Sequence, residues 1–355
     1  MRYDQLAAAC DNLSRRRFLK LTGYGSLGLV AGNWLASAEA SQLDPALITE
    51  MGIDVTYQTR MIDYPSDGEV VHLWMPLPPE DEGQDVRSLE ITCPVPYEIT
   101  EDKTHGNRMV HVETQKLEPF VLESKYHVVR RRIGHLPVAP EVASEKRFQT
   151  LNGRVRFVDT VRAFAEEAIG DAKRPIDVGR RVYDAMIDAL TYDKQIAGCG
   201  MGDTEWVMKH KRGKCDDYHA LFMAIMISQG IPVRWEQGFP LPYPSDKIEV
   251  SGRLSGDCSG AHCWASFYDA DYGWIPVDIS EGDKKPEMRD FFFGNLTPNR
   301  FKISEGRAIE MNPAQGGDPL RTFAFAYAEA DGFPLIYHAN YENIVQFNVT
   351  RVETV

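Results

Sequence analysis

Apolar and polar positions alternate over the first part of this chain and follow a longer period afterwards. Ile53-Asp54-Val55-Thr56-Tyr57 and Arg108-Met109-Val110-His111-Val112 put every second side chain on one face, as a half-buried strand does. Val70-Val71-His72-Leu73-Trp74 alternates less cleanly, but its β-branched and aromatic content suits a strand. Turn clusters separate these runs at Pro65-Ser66-Asp67-Gly68, Pro76-Leu77-Pro78-Pro79 and His105-Gly106-Asn107. Short strands with regular turns predict a β-sandwich, with its last strand near Tyr126-His127-Val128-Val129. Leu136-Pro137-Val138-Ala139-Pro140 then breaks the pattern and reads as a linker.

Helical periodicity follows. Phe157 to Ile169 carries apolar residues at Val161, Phe164, Ala165 and Ala168. Pro175 opens a second helix with Val178, Val182, Met186 and Leu190 on one stripe, and Thr204 to His210 forms a short third, ended by Gly213. From Leu221 to Ile227 every residue is apolar, which predicts a buried central helix capped by Gly230 and stopped by Pro232. Phe291-Phe292-Phe293 reads as a buried plug. Residues 322–327 and 343–349 alternate again around an Asp331-Gly332 turn and are expected to complete the core sheet.

Composition narrows the function classes. The chain has 355 residues, 43% hydrophobic and 26% charged, an ordinary soluble globular balance. Lys+Arg number 39 against 52 Asp+Glu, a net charge of −13, which argues against nucleic acid as a partner. Six cysteines are too few for a disulfide-built scaffold.

The N-terminus reads as an address. Ser14-Arg15-Arg16-Arg17-Phe18-Leu19-Lys20 matches the twin-arginine export consensus, with Arg15 and Arg16 as the signal pair. A short Gly-rich apolar run follows, and small-x-small sites at Ala36-Ser37-Ala38 and Ala38-Glu39-Ala40 offer cleavage after Ala38 or Ala40. The expectation is a signal peptide over 1–40, a periplasmic or other extracytoplasmic destination, the twin-arginine translocase as export partner, and no stable membrane span in the mature chain.

Candidate chemistry centres on Cys215, at the N-terminus of the buried helix, where unpaired N–H groups and the helix dipole favour a thiolate. The alternative is a small buried thiol that merely packs. Downstream, His262 to Tyr268 and Trp274 to Asp278 are strands joined through Asp269-Ala270-Asp271-Tyr272-Gly273. A hairpin centred on Ala270 sets His262 directly opposite Asp278, and Trp264 opposite Pro276. A helix-capping Cys with a His oriented by an Asp makes a nucleophilic triad: Cys215 attacks, His262 moves the proton, and Asp278 fixes the imidazole tautomer.

Gly213-x-Cys215-x-Asp217, Leu221-Phe222 and Gly230-Ile231-Pro232-Val233-Arg234 resemble the core of the transglutaminase-like superfamily. So do Tyr192-Asp193, His262-x-Trp264 and Gly273-Trp274-x-Pro276-Val277-Asp278. The resemblance implies an α+β fold: a papain-like transglutaminase core over 141–355, including the C-terminal strands, preceded by a small β-sandwich over 41–140. It also implies the Cys215, His262 and Asp278 triad. It leaves the reaction open among amide hydrolysis, protein-glutamine crosslinking, glycan release and a catalytically silent binding or envelope-scaffold form. An intact triad argues against the silent form, and an extracytoplasmic site without a calcium loop favours hydrolysis of a peptide or protein substrate.

The oxyanion hole should use the Cys215 backbone N–H with a second donor from Tyr192 or Gln195, between which the sequence does not choose. Asp217 reads as structural, capping its helix or pairing with Arg234, and Trp206 as a packing anchor. No cofactor is expected, because Cys199, Cys258 and Cys263 with His262 lack the spacing of a zinc site. Cys263, on the strand face opposite His262, either pairs with Cys199 or stays a buried thiol.

Overall fold

The structure is a computed structural model that describes residues 43–63, 70–115, 118–196, 198–244, 250–255 and 260–355. The signal segment with Arg15 and Arg16, the Pro65–Gly68 turn and Cys258 lie outside the described residues.

Six strands come first: β1 (Ile48–Met61), β2 (Val71–Pro76), β3 (Gln84–Thr92), β4 (Tyr97–Glu101), β5 (Arg108–Thr114) and β6 (Phe120–Arg131). Helices α1 (Asp159–Ile169) and α2 (Pro175–Ala189), strand β7 (Thr191–Tyr192), helix α3 (Thr204–His210), strand β8 (Arg212–Gly213) and helix α4 (Cys215–Ser228) follow. Then come β9 (Val233–Pro240), β10 (Ser251–Ser255), β11 (His262–Asp269), β12 (Gly273–Val277) and helix α5 (Ile279–Lys284). The last strands are β13 (Arg300–Glu305), β14 (Tyr327–Ala330), β15 (Phe333–Pro334) and β16 (Tyr341–Thr354).

Two antiparallel five-stranded sheets, ordered β10-β16-β1-β6-β3 and β15-β14-β2-β5-β4, form the sandwich. Ile53, Val55 and Tyr57 of the first sheet share one apolar core with Leu73, Val110 and Val112 of the second. The alternating strands therefore face each other, as their period requires.

The C-terminal strands are a correction to the sequence reading. They join the sandwich, not the core sheet: β16 pairs with β1 along nearly its whole length, and β14 pairs with β2. Alternation identifies a strand but not its neighbour. The fourteen-residue β1 has β6 on one side, and a long strand must satisfy its other edge. Residues 322–326 also depart from the expectation, because they form no ladder. The Tyr57 hydroxyl substitutes for one, donating to the Ala324 carbonyl at 3.2 Å and accepting from the Ala326 N–H at 2.8 Å.

The second core is a four-stranded sheet, β12-β11-β9-β13, with α4 against it. Every residue of α4 from Cys215 to Met226 is buried, as an apolar-all-round sequence requires. Cys263, Ala265 and Phe267 of β11 supply its bed, and the Phe222 ring meets Phe267 edge-on at 5.8 Å. Helices α1 and α2 pack around it with Val161, Ala165, Val182 and Met186. Phe292 is fully buried, and Phe293 lies beside Tyr183 and Phe267.

Two connections tie the regions together. Leu136, in the expected linker, exchanges both backbone hydrogen bonds with Trp274 at the edge of β12. Strand β13 edges the core sheet, yet Phe301 and Ile303 are buried in the sandwich core. The Gln84 side chain brackets the Lys302 backbone, accepting from its N–H at 2.7 Å and donating to its carbonyl at 3.0 Å. No helix among the described residues is long and apolar enough to cross a membrane.

Candidate active site

The Gly-x-Cys-x-Asp motif is a packing rule around the first turn of α4. The Asp217 carboxylate accepts from the backbone N–H groups of Lys214, Met201 and Gly202 at 3.0, 3.0 and 2.9 Å. It caps the helix and also clamps the preceding loop. Its expected partner Arg234 lies instead beside Glu236, at 3.8 Å. A Cβ on Gly213 would sit 2.5 Å from the Asp217 Cβ, so only glycine lets the strand pass this close. Burial pushes the Asp217 carboxyl up to about 6, against its three N–H donors. Asp216 is buried among Arg307 and Arg321, which neutralise the second acid of the turn. The first turn thus holds Cys215 rigidly, with its thiol facing the Cys199 carbonyl at 3.8 Å.

The hairpin register differs from the expected one. Ala265 pairs with Val277, Ser266 with Pro276 and Asp269 with Gly273, so the turn centres on Asp271. Three residues, Ala270 to Tyr272, lie between the last pair, so the centre falls one residue beyond the expected Ala270. The Asp269 carboxylate accepts from the Asp271 N–H at 2.9 Å, and Gly273 takes φ +74°. His262 consequently lies opposite Gly238 of β9 and diagonal to Asp278. The shift preserves strand parity, so the two side chains still meet. His262 Nε2 donates to Asp278 Oδ2 at 2.7 Å.

Asp278 is held from every side. It is the N-cap of α5, accepting on Oδ1 from the Glu281 N–H at 3.0 Å and the Ser280 hydroxyl at 3.1 Å. On Oδ2 it accepts from His262 and from Arg300 Nη1, the latter at 2.6 Å. Burial alone would raise its carboxyl, but the charges of His262 and Arg300 hold it well below the usual carboxylate range. Burial also acts against an imidazolium at His262, yet Asp278 and Cys215 push the ring up to about 9. With Nε2 committed to Asp278, Nδ1 is the nitrogen left for the Cys215 sulfur.

Cys263 is a second thiol at this sulfur. Its thiol hydrogen-bonds Cys215 and, with His262, holds the Cys215 thiol well below its ordinary range in spite of burial. Burial and the Cys215 charge push Cys263 itself up, so it stays a neutral donor. As expected from alternation, Cys263 lies on the β11 face that carries Ala265 and Phe267, while His262 lies on the Trp264 face. At the first residues of β11 both neighbours reach one helix end. Cys199, Cys215 and Cys263 are all buried thiols, and no disulfide links described residues.

His219, one helical turn beyond Cys215, was overlooked in the sequence. It accepts on Nε2 from the Ile279 N–H at 3.2 Å, so its proton sits on Nδ1, donated to the Cys215 carbonyl at 2.8 Å. Burial keeps this ring neutral, lowering its basicity. The signal was present: a histidine four residues after Cys215, entering an otherwise apolar helix.

Of the two oxyanion candidates, the structure brings Tyr192 to the site and leaves Gln195 in an exposed turn, its N–H bonded to the Asp193 carboxylate. Asp283 accepts from the Tyr192 N–H at 3.0 Å and the Tyr218 hydroxyl at 2.7 Å, tying β7 to α4. Burial and then the nearby Cys215 charge push the Tyr192 phenol up. Trp206 packs half-buried against the helical core and stacks on His210. A cavity of about 500 Å³ opens here, lined by Thr191, Tyr192, Lys194, Glu281, Asp283, Lys284 and Lys285. The Lys284 ammonium lies 4.6 Å over the Tyr192 ring and pairs with Glu281.

Known proteins share this architecture. Residues 162–279 match the family model of the Transglutaminase-like superfamily. An uncharacterized protein of Haemophilus influenzae is 24% identical over 306 aligned positions, covering 74% of this chain and 82% of the relative. The uncharacterized protein YebA of Bacillus subtilis is 25% identical over 138 residues, 36% of this chain but only 18% of YebA. Among solved structures, a candidate cysteine protease from Cytophaga hutchinsonii superposes with a TM-score of 0.54 at 15% identity, covering 87% of this chain and 95% of that one. The chain therefore has an α+β fold, in which a transglutaminase-like core is joined to a β-rich region begun by its N-terminal strands.

Proposed function

We propose that this protein is an exported enzyme that hydrolyses amide bonds of peptides or proteins through a thioester on Cys215. The observation that carries the reading is the 2.7 Å hydrogen bond from His262 Nε2 to Asp278 Oδ2, which commits one imidazole nitrogen and leaves the other for the thiol. At neutral pH the pair rests as thiolate and imidazolium. The Cys215 sulfur attacks the amide carbonyl, and backbone N–H groups at the start of α4 with Tyr192 receive the oxyanion. The C–N bond breaks as imidazolium Nδ1 gives its proton to the departing amine. A water then loses a proton to Nδ1 and attacks the thioester, releasing the acid and restoring the thiolate.

Hydrolysis is favoured over crosslinking by the cavity wall. Lys194, Lys284 and Lys285 line it with Glu281 and Asp283, three ammonium groups against two carboxylates, and this net positive wall disfavours a cationic amine acceptor more than water. The twin-arginine string Ser14–Lys20 supports export. Three experiments test the reading. Cys215 is expected to react with iodoacetamide far faster than a model thiol at pH 7, and equal rates would remove the enzyme reading. A peptide library is expected to be cleaved without amine incorporation, whereas glutamine-dependent uptake of a labelled amine would make the protein a crosslinking enzyme. Replacing Arg15 and Arg16 together by Lys is expected to leave folded precursor in the cytoplasm, and normal export would refute the pathway.

A further inference from the structure

Arg300 is a buried cation without a counterpart in the nucleophilic set as read from the sequence. Its Nη1 donates to Asp278 Oδ2 at 2.6 Å, the same oxygen that accepts from His262. Its guanidinium carbon lies 5.0 Å over the Trp264 ring, and Trp264 Nε1 in turn donates to Glu236 at 2.9 Å. The residue is only 2% exposed.

Its route to the site is unusual. Arg300 begins β13, and the next residues of that strand belong to the sandwich. Phe301 is buried in the sandwich core, and Lys302 is bracketed by Gln84 and ion-paired with Asp81 at 3.2 Å and with Glu236 of β9 at 2.8 Å. The β-rich region and β9 together therefore fix where the guanidinium stands.

We propose that Arg300 is a positioning residue of the Cys215–His262–Asp278 set: delivered by the strand that the sandwich clamps, it pins the Asp278 carboxylate against the His262 ring and shares its negative charge. The inference rests on the proposed enzyme reading for its consequence in turnover, but not for its effect on the imidazole. Two donors on one oxygen divide its attraction. A permanent cation at 2.6 Å tempers the hold of Asp278 on the imidazolium, so His262 keeps its proton without losing the capacity to release it. The other titratable groups facing this set are Cys215 and His219 from α4, Glu281 and Lys284 from α5 with Lys285 just after it, Arg130 from β6, and Tyr183, Tyr192 and Tyr243 in the surrounding wall. Glu281 and Lys284 pair with each other, and burial keeps the phenols neutral, so Arg300 is the fixed cation bonded to the carboxylate.

The test is the His262 titration, followed by NMR on histidine-labelled protein and assigned with His262→Ala. In Arg300→Gln the midpoint is expected to rise by about one pH unit, a tenfold gain in proton affinity. In Arg300→Lys, which keeps the charge but loses the planar fork, the midpoint stays near the parent value. An unchanged midpoint in Arg300→Gln overturns the proposal, because a merely structural arginine would lower the folded fraction without moving the titration. Should Arg300→Gln fail to fold, Arg300→Lys decides on the peptide substrate. Its kcat is expected to fall about tenfold with KM unchanged, and a parental kcat refutes the pinning role. Because the titration needs no substrate, a failure of the enzyme reading leaves this arm intact and separable.

Discussion

The sandwich and the helix–sheet core differ in how they arrange buried polarity: the first disperses it and the second clusters it. Within the sandwich, buried neutral groups pair across strands, as Thr59 does with Asn343 at 2.9 Å and Tyr57 with the Ala324–Ala326 backbone, and the buried charges stand apart from one another, Arg130 beside Asp81 at 3.6 Å and Glu329 on the Gly316 N–H at 2.9 Å. The helix–sheet core instead ends its apolar packing on Cys215 and Cys263, then buries His262, Asp278 and Arg300 directly behind them. Removing charges from water costs several kcal/mol per ion unless every lone pair and proton is matched. Asp278 meets that condition with four donors. The sandwich keeps its buried charges apart, whereas the core brings His262, Asp278 and Arg300 onto one carboxylate. In the proposed mechanism this matched cluster is where a proton moves, and the sandwich helps to hold the strand that carries Arg300.

The contrast is broken hardest at the sulfur. Cys215→Ala is expected to abolish turnover while costing about 1 kcal/mol of stability, measured by single-turnover assay and denaturant melt. His262→Ala should be nearly as damaging, because such residues act as a unit. Retained activity in Cys215→Ala would move the nucleophile elsewhere. Asp278→Asn comes next, with an expected loss of up to about 10⁴ in rate through the wrong imidazole tautomer. If that variant is silent, a Cys–His dyad suffices.

A sandwich substitution should do the reverse. Leu73 is fully buried between the sheets, and Leu73→Ala is expected to cost about 2–5 kcal/mol in the melt. The alkylation rate of Cys215 per folded molecule should stay unchanged. A slowed thiol would show that the two regions are coupled beyond β13.

The pH dependence sharpens the same division. The alkaline limb of turnover should fall near pH 9, where His262 loses its proton, and the acid limb well below an ordinary thiol value, where Cys215 gains one. His262, raised in the fold, adds stability below its unfolded value of about 6.5 that is lost as pH rises through about 9. Cys215, depressed in the fold, adds stability above its unfolded value of about 8.5 that is lost as pH falls through its folded value. Between about 6.5 and about 8.5, folded and unfolded pairs each hold one proton, so their contributions cancel and Tm is flat. In Cys215→Ala the histidine acts alone, and Tm should fall with rising pH across that window. A flat Tm in this variant would deny the raised imidazolium.

The smallest effect separates the oxyanion candidates. Tyr192→Phe is expected to lower kcat several-fold, and Gln195→Ala to leave it unchanged, since Gln195 stands in the exposed Asp193 turn. Equal losses in both would return Gln195 to the site.

Much of this protein is legible without coordinates. Period-two runs mark the strands of the first region, and the unbroken apolar stretch Leu221–Ile227 marks the buried helix. Those signals are local, because burial of one face is written residue by residue along an element. Cys215 could be named from the start of its helix, and His262 and Asp278 from the hairpin of two adjacent strands and the resemblance of their motifs. The tertiary structure alone decided that β16 closes against β1, that the hairpin turns about Asp271, and that His219 and Arg300 stand behind the triad. Strand alternation is the same whichever neighbour a strand takes. A two-residue difference between loop types moves the register without changing parity. Arg300, 22 residues beyond Asp278 across α5 and the loop after it, meets its carboxylate only because the sandwich and the helical core both pack on β13, and no local pattern encodes a contact made by two cores at once.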